Sequence, residues 1–207
     1  MLCRRCQNRS ENALPAGRQR NLEWMGHEVS GQLSLVGQLS LVAATERDVD
    51  AVVALYRSCT AALLERGVRQ WDAGYPARTT AADAARRGDL FLLLERGEAM
   101  AGAVILNAVQ APEYAPIAWH EPEPALVIHT LVVDPRRQGA GLGRAAMASC
   151  EAFGREHGYV SVRLDAYPGN PPAVALYERL GYDRRGEIQF DWKPLGHQRY
   201  AVYEKRL

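Results

Sequence analysis

Gly139, Gly141 and Gly143 alternate with other residues in DPRRQGAGLGR (134–144), directly after the apolar run ALVIHTLVV. Where a strand runs into a helix N-terminus, unpaired N–H groups and the positive end of the helix dipole point outward. Glycine lets that backbone adopt unusual angles and come close to a ligand. The segment suits a phosphate or pyrophosphate. A triphosphate loop needs G-x-x-x-x-G-K-[ST], and no Lys-Ser or Lys-Thr is present here. A dinucleotide loop needs G-x-G-x-x-G after a first strand, with an acidic residue about 20 residues on. Here the spacing is G-x-G-x-G in mid-chain, although Asp165 does end the next strand.

Other residues with chemical potential surround this loop in sequence. His129 lies in the apolar run, on the same strand face as Val127, Leu131 and Val133. Its ordinary pKa of ~6.5 suits a proton acceptor, while a structural histidine in an apolar strand is the plainer alternative. His120, Glu121 and Glu123 in the preceding loop are weaker candidates for the same task. Trp71 and Tyr75 in GVRQWDAGYP, and Trp119, either line a pocket or cover core. Cys3 and Cys6 form one C-x-x-C pair without a second pair or paired histidines, a weak metal signal. No metal site is expected. Cys59 and Cys150 read as small core residues.

The elements that must position these groups follow from periodicity and punctuation. QLSLVAA reads as a first strand. Thr45 with Asp48 opens a helix carrying Val49, Val52, Val53, Tyr56, Cys59 and Leu63 at helical spacing, closed by Gly67. Thr80 is expected to cap a second short helix, with Asp83 at its third position and Gly88 at its end. LFLLLE (90–95) and AMAGAVIL (99–106) form a hairpin through RGE. PEYAPIAWHEPEP is too interrupted for regular structure. ALVIHTLVV (125–133) is the central strand. A helix from about Gly141 to His157 follows the glycine segment, then a strand at VSVRLDAY (160–167). NPPAVALYERLG (170–181) is a helix with Asn170 as cap, Pro171 in the first turn and Gly181 as terminator. GEIQF and RYAVYEK close the chain as strands. Alternating strands and helices with hairpins at both ends predict a mixed α/β sheet.

The 207 residues are 47% hydrophobic and 24% charged, with net charge +1. This is a one-domain composition, without the basic footprint of nucleic-acid binding. No apolar run approaches the ~18 residues that span a bilayer, and no apolar segment follows Arg4, Arg5 and Arg9 as a secretory signal would require. The expected location is cytoplasmic. Residues 1–38 are rich in Arg, Asn, Gln, Gly and Ser and read as a poorly ordered extension before a domain at 39–207. The hexapeptide GQLSLV occurs at 31–36 and again at 37–42. Two copies make no solenoid.

VVDPRRQGAGLGRAAM resembles the acyl-CoA-binding motif of the GNAT superfamily of N-acetyltransferases, [RQ]-x-x-G-x-[GA], through Gln138, Gly141 and Gly143. NPPAVALYERLGY resembles the same superfamily's second motif through Asn170, Ala173, Leu176, Tyr177, Gly181 and Tyr182. Both occur in order, with one helix and one strand between them. RQWDAGYP, HTLVV and the closing YEKRL also look like a largely uncharacterised bacterial subgroup. The resemblance is specific over 125–182 and does not cover the first 38 residues. It implies a GNAT-like α/β fold, with a mostly antiparallel sheet of six to seven strands, a splayed central pair and flanking helices.

The resemblance further implies acetyl transfer from acetyl-CoA to a primary amine by direct attack, the acceptor being a small molecule or peptide. Leu131, Val132 and Val133 would face the pantetheine arm and thioester. The backbone of Gln138, Gly139, Ala140, Gly141, Leu142, Gly143 and Arg144 would hold the pyrophosphate. Asn170 and Ala173 would also contact the donor, and Trp71 and Tyr75 would wall the acceptor pocket. Tyr177 is the implied general acid for the leaving thiolate, although Ala173, Leu176, Tyr177 and Leu180 share a face that could equally be core. His129 is the candidate base. A homodimer is common in the superfamily. An acyl-CoA-binding module without catalysis, and a nucleotide-dependent oxidoreductase, are the alternatives.

Overall fold

The computed structural model describes residues 39–96, 99–137 and 139–207. Cys3, Cys6, the first GQLSLV copy and Gln138 lie outside the described residues, as do 97 and 98 of the expected RGE turn.

Seven strands form one sheet: β1 (Leu39–Ala43), β2 (Leu90–Glu95), β3 (Ala99–Asn107), β4 (Ala125–Val133), β5 (Ser161–Ala166), β6 (Asp183–Gln189) and β7 (Arg199–Arg206). Their order is β1-β2-β3-β4-β5-β7-β6, with β4 at the centre. Only the β4–β5 pairing is parallel. The expected mixed, mostly antiparallel sheet is present. Four helices cover it: α1 (Val49–Glu65), α2 (Arg78–Arg87), α3 (Leu142–Glu156) and α4 (Pro171–Arg179). No helix among the described residues is long and apolar enough to cross a membrane.

The sheet sorts its side chains by period two. On one face Ala103, Ile105 and Val132 pack with Val52, Val53, Tyr56 and Cys59 of α1 and with Ala81 and Ala84 of α2. On the other, Val104, Leu106, Leu126 and Ile128 pack with Met147 and Cys150 of α3. Both described cysteines are free and buried. Burial pushes each thiol up to about 12, so neither is a reactive thiolate.

Three helix starts differ from expectation. α2 begins two residues before Thr80, whose hydroxyl accepts from the Ala77 N–H at 3.2 Å. Thr80 is therefore the third helical residue and reaches back, because the proline at 76 already delimits the helix. Asn170 does flank α4, but its side chain makes no capping hydrogen bond. At Thr45 the N–H and hydroxyl both donate to the Asp48 carboxylate, at 2.8 and 2.9 Å, but the pair closes a 3-10 turn (Glu46–Asp48), and α1 itself begins only at Val49.

Residues 108–124 are held by a buried ion pair. Arg163 of β5 is 2% exposed and donates to Glu204 of β7 at 3.0 Å. It also donates to the Glu121 carbonyl at 2.8 Å and to Gln110 at 3.0 Å, and lies 4.5 Å from the centre of the Trp119 ring. This network fastens the loop beside the one stretch where β4 and β5 are zipped together.

Candidate functional site

β4 and β5 pair only over Ala125–Val127 and Ser161–Arg163, then part. A second device acts on the other edge of β4. Ala103 of β3 faces Val132 and Ile105 faces His129, so β4 spends two residues, Thr130 and Leu131, where β3 spends one. Thr130 takes φ +43°, a costly conformation for a β-branched residue. Such a bulge re-aims side chains. Just beyond it the sheet is tight: a Cβ on Gly102 would lie 2.3 Å from the Val132 carbonyl oxygen, so only glycine fits. His129, Thr130 and Leu131 consequently border the gap between the parted strands.

A cavity of about 130 Å³ fills that gap. Ile128, His129, Thr130 and Leu131 of β4 form one wall, and Leu164, Asp165 and Ala166 of β5 another. Asn170 precedes α4 and Ala173 and Tyr177 lie along it, Gln70, Trp71 and Tyr75 come from the α1–α2 loop, and Lys193 from the β6–β7 loop. A second cavity of about 110 Å³ shares Gln70, Trp71, Leu131 and Asn170 with the first and borders Val132 and Val133. Asn170 is pinned there by donating to the Gln70 side-chain oxygen at 3.0 Å, which ties α4 to the α1–α2 loop.

The Tyr177 ring packs edge-on to Tyr182 at 6.0 Å and against Tyr203 at 6.2 Å. It is thus part of the core and part of the cavity wall at once. Its hydroxyl has no hydrogen-bond partner among the described residues. Burial raises its pKa, with the Asp165 charge adding to the effect, so the phenol keeps its proton.

His129 Nε2 lies 3.1 Å from Asn107 Oδ1. That oxygen also accepts from the Val109 N–H at 3.0 Å, while Asn107 Nδ2 donates to Asp89 at 3.0 Å. This network assigns the proton to Nε2 and leaves Nδ1 with its lone pair. Burial lowers the His129 pKa, so the ring is neutral at physiological pH.

Asp165 accepts from the Tyr114 hydroxyl at 2.9 Å. Burial raises its carboxyl. Lys193 is 7% exposed, with its ammonium 3.9 Å from the centre of the Tyr75 ring and 4.5 Å from that of Trp192. Burial pulls its pKa down to about 8.

The glycine segment follows β4 through Asp134, whose carboxylate binds the Arg136 N–H at 3.0 Å and its guanidinium at 2.7 Å. Gly139 and Gly141 take φ +90° and +77°, and α3 begins immediately after. Gly143 has ordinary angles but closely faces Leu176 of α4: a Cβ there would lie 3.2 Å from Leu176 Cδ2. Among the described residues, no backbone carbonyl accepts from the N–H groups of Gly139 to Arg144. N–H groups at a helix N-terminus that have no acceptor among the described residues, with exposed Arg144 beside them, fit a pyrophosphate. No group of His, Cys, Asp or Glu among the described residues could hold a metal ion.

The cavity thus gathers His129, Tyr177, Trp71, Tyr75, Leu131, Asn170 and Ala173 from the sequence candidates. His120, Glu121, Glu123 and Trp119 lie outside it. Glu123 receives the Ala125 N–H at 2.8 Å, and His120 donates its own N–H to Glu204 at 2.7 Å. These residues serve the Arg163 network. Lys193, Gln70 and Thr130 carry no sequence signal, since a loop lysine or glutamine reads as solvated. Asn107 is recognisable only through its contact with His129.

A seven-stranded sheet whose central strands part over a glycine-rich helix N-terminus is the architecture of acyl-CoA N-acyltransferases. The model of the acetyltransferase (GNAT) family matches residues 49–182, and the chain belongs to that family. The mycothiol acetyltransferase of Salinispora arenicola is 45% identical over 58 residues, covering 28% of this chain and 19% of that protein. Human N-acetyltransferase 8 is 29% identical over 104 residues, covering 50% of this chain and 43% of that protein. The chain spans about a fifth of the length of the mycothiol acetyltransferases it matches. A GNAT acetyltransferase structure from Streptococcus agalactiae superposes with a TM-score of 0.71 at 20% identity, covering 82% of this chain and 95% of that one. The ribosomal-protein-S18-alanine N-acetyltransferase of Escherichia coli gives 0.56 at 20%, covering 82% and 94%. These structural likenesses establish the fold.

Proposed function

We propose that the protein is a cytoplasmic N-acetyltransferase that moves an acetyl group from acetyl-CoA to a primary amine by direct attack in a ternary complex. Acetyl-transferring relatives support this reading. So does the observation that carries it: a protonated phenol, a neutral imidazole and residues 128–131 of β4 converge on one cavity.

Acetyl-CoA supplies an activated thioester. The backbone of Gly139 to Arg144 holds the pyrophosphate, and Leu131 to Val133 flank the pantetheine arm. Preorganised backbone donors at the end of β4 favour negative charge developing on the carbonyl oxygen. His129 takes a proton from the acceptor ammonium at Nδ1, and its Nε2–H bond to Asn107 fixes the ring and the tautomer. Tyr177 donates its proton to the departing sulfur as the C–S bond breaks, and the proton still on the newly acylated nitrogen returns to the Tyr177 oxygen. Trp71 and Tyr75 wall the acceptor. Asn170 and Ala173 line the donor side, and the Asn170–Gln70 bond sets the spacing between α4 and the α1–α2 loop.

A panel of amines incubated with acetyl-CoA and read by thiol release tests this function. Acceptor-dependent release is expected. Acetyl-CoA binding without release for every amine would instead mark a donor-binding module and refute catalysis.

A further inference from the structure

A carboxyl group and an ammonium line the central cavity without pairing to each other. Asp165 stands at the end of β5 and receives one hydrogen bond, from Tyr114 at 2.9 Å. Lys193 arrives from the β6–β7 loop, more than nine-tenths buried, and uses one of its three ammonium donors, on the Gln70 carbonyl at 3.3 Å. The Tyr75, Trp192 and Tyr200 rings surround that ammonium at 3.9, 4.5 and 5.3 Å. They compensate its burial in part, but they offer no acceptor to the remaining N–H groups. Buried polar groups left short of partners are costly, and here both border the same space.

We infer that the acceptor is a small zwitterion of the amino-acid type, its ammonium directed to Asp165 and its carboxylate to Lys193. This rests on the acetyl-transfer reading above and names the substrate class for that site. A simple amine or a polyamine meets Asp165 favourably but is repelled by Lys193, whereas an amine carrying a carboxylate satisfies both. Lys193 remains largely charged at neutral pH, because burial lowers it only to about 8. The acceptor's side chain has somewhere to go: a cleft of about 270 Å³ also borders Lys193, with Tyr75, Trp71 and Trp192. The ammonium of Lys193 therefore stands between the reacting cavity and an aromatic-lined pocket.

The test compares acceptors matched in side chain: the amino acid, its amide, and the amine lacking the carboxyl group. Thiol release is measured for the parent protein, Lys193→Met and Lys193→Arg. A charge-assisted contact of this kind predicts about a ten- to hundredfold higher kcat/KM for the amino acid than for its amide. Lys193→Met should remove that preference by raising KM for the amino acid far more than for the amide, and Lys193→Arg should restore part of it. Equal turnover of acid and amide by the parent overturns the inference, as does a Lys193→Met variant that lowers both alike. No release from any acceptor sinks the acetyl-transfer reading and this inference with it. Release without carboxylate preference sinks this inference alone.

Discussion

Removing one oxygen atom from Tyr177 separates a catalytic phenol from a packing residue. Tyr177→Phe keeps the ring, which lies 6.0 Å from Tyr182 and 6.2 Å from Tyr203. The hydroxyl has no hydrogen-bond partner among the described residues, so no bond within the protein is lost. The stability change should stay within about 0.5 kcal/mol, the range of substitutions that disturb no buried network. For a chain of this size that is a melting shift of no more than about 2 °C. Loss of a general acid costs about a hundredfold in rate, or about 2.7 kcal/mol of transition-state stabilisation. The expected result is kcat down about a hundredfold with the acetyl-CoA dissociation constant unchanged. Thiol release gives kcat, calorimetry gives the affinity and a thermal melt controls for folding. An unchanged kcat refutes the acid role. A matching loss of stability and rate refutes the claim that the hydroxyl is unengaged.

Four further outcomes are expected. His129 is held below its ordinary value by burial and acts as a base only when unprotonated, so kcat/KM should fall as pH drops through a midpoint below 6.5, and His129→Gln should abolish that limb. Lys193 loses its charge as pH rises through about 8, so the preference for carboxylate-bearing acceptors should fade above that pH. Asp165, Asp72, Tyr75 and Tyr200 are the titratable groups around it, and rate ratios for acid and amide across pH follow the change. Arg163→Met removes the nearest cation from the buried Glu204, leaving it the His120 N–H, the Ser161 hydroxyl and Arg185 at 4.0 Å, and should cost about 3 kcal/mol, measured as a shift in the urea midpoint. Gly141→Ala forces a side chain into φ +77°, which should cost about 1 kcal/mol and weaken acetyl-CoA binding by calorimetry. Equal affinity would show that the loop does not hold the donor.

Features legible in the sequence were those encoded over a few residues. Gly139 and Gly141 stand where the backbone needs positive φ, and Gly67, Gly88 and Gly181 end helices in the same conformation. The nearly unbroken apolar run ALVIHTLVV marked a central strand because helices cover both faces of the sheet there. The order of the two motifs marked the family for the same local reason. Tyr177 was legible as a motif residue but not as core or cavity. It is both, and only packing could place it at their boundary.

Tertiary structure decided the site itself. Whether β4 and β5 stay paired is a long-range question, resolved by the Arg163 network at one end and the bulge at Thr130 at the other. Asn170 looked like a helix cap, yet a residue one hundred positions away in sequence takes its side chain. Lys193 shows the limit most plainly. A lysine in a polar loop has no periodicity to betray it, and its role follows from three aromatic rings and a carboxylate brought around it by separate elements. Backbone angles and alternation are local properties and can be written in adjacent residues. Electrostatic environment and strand separation sum over distant segments, so they exist only once the chain has folded.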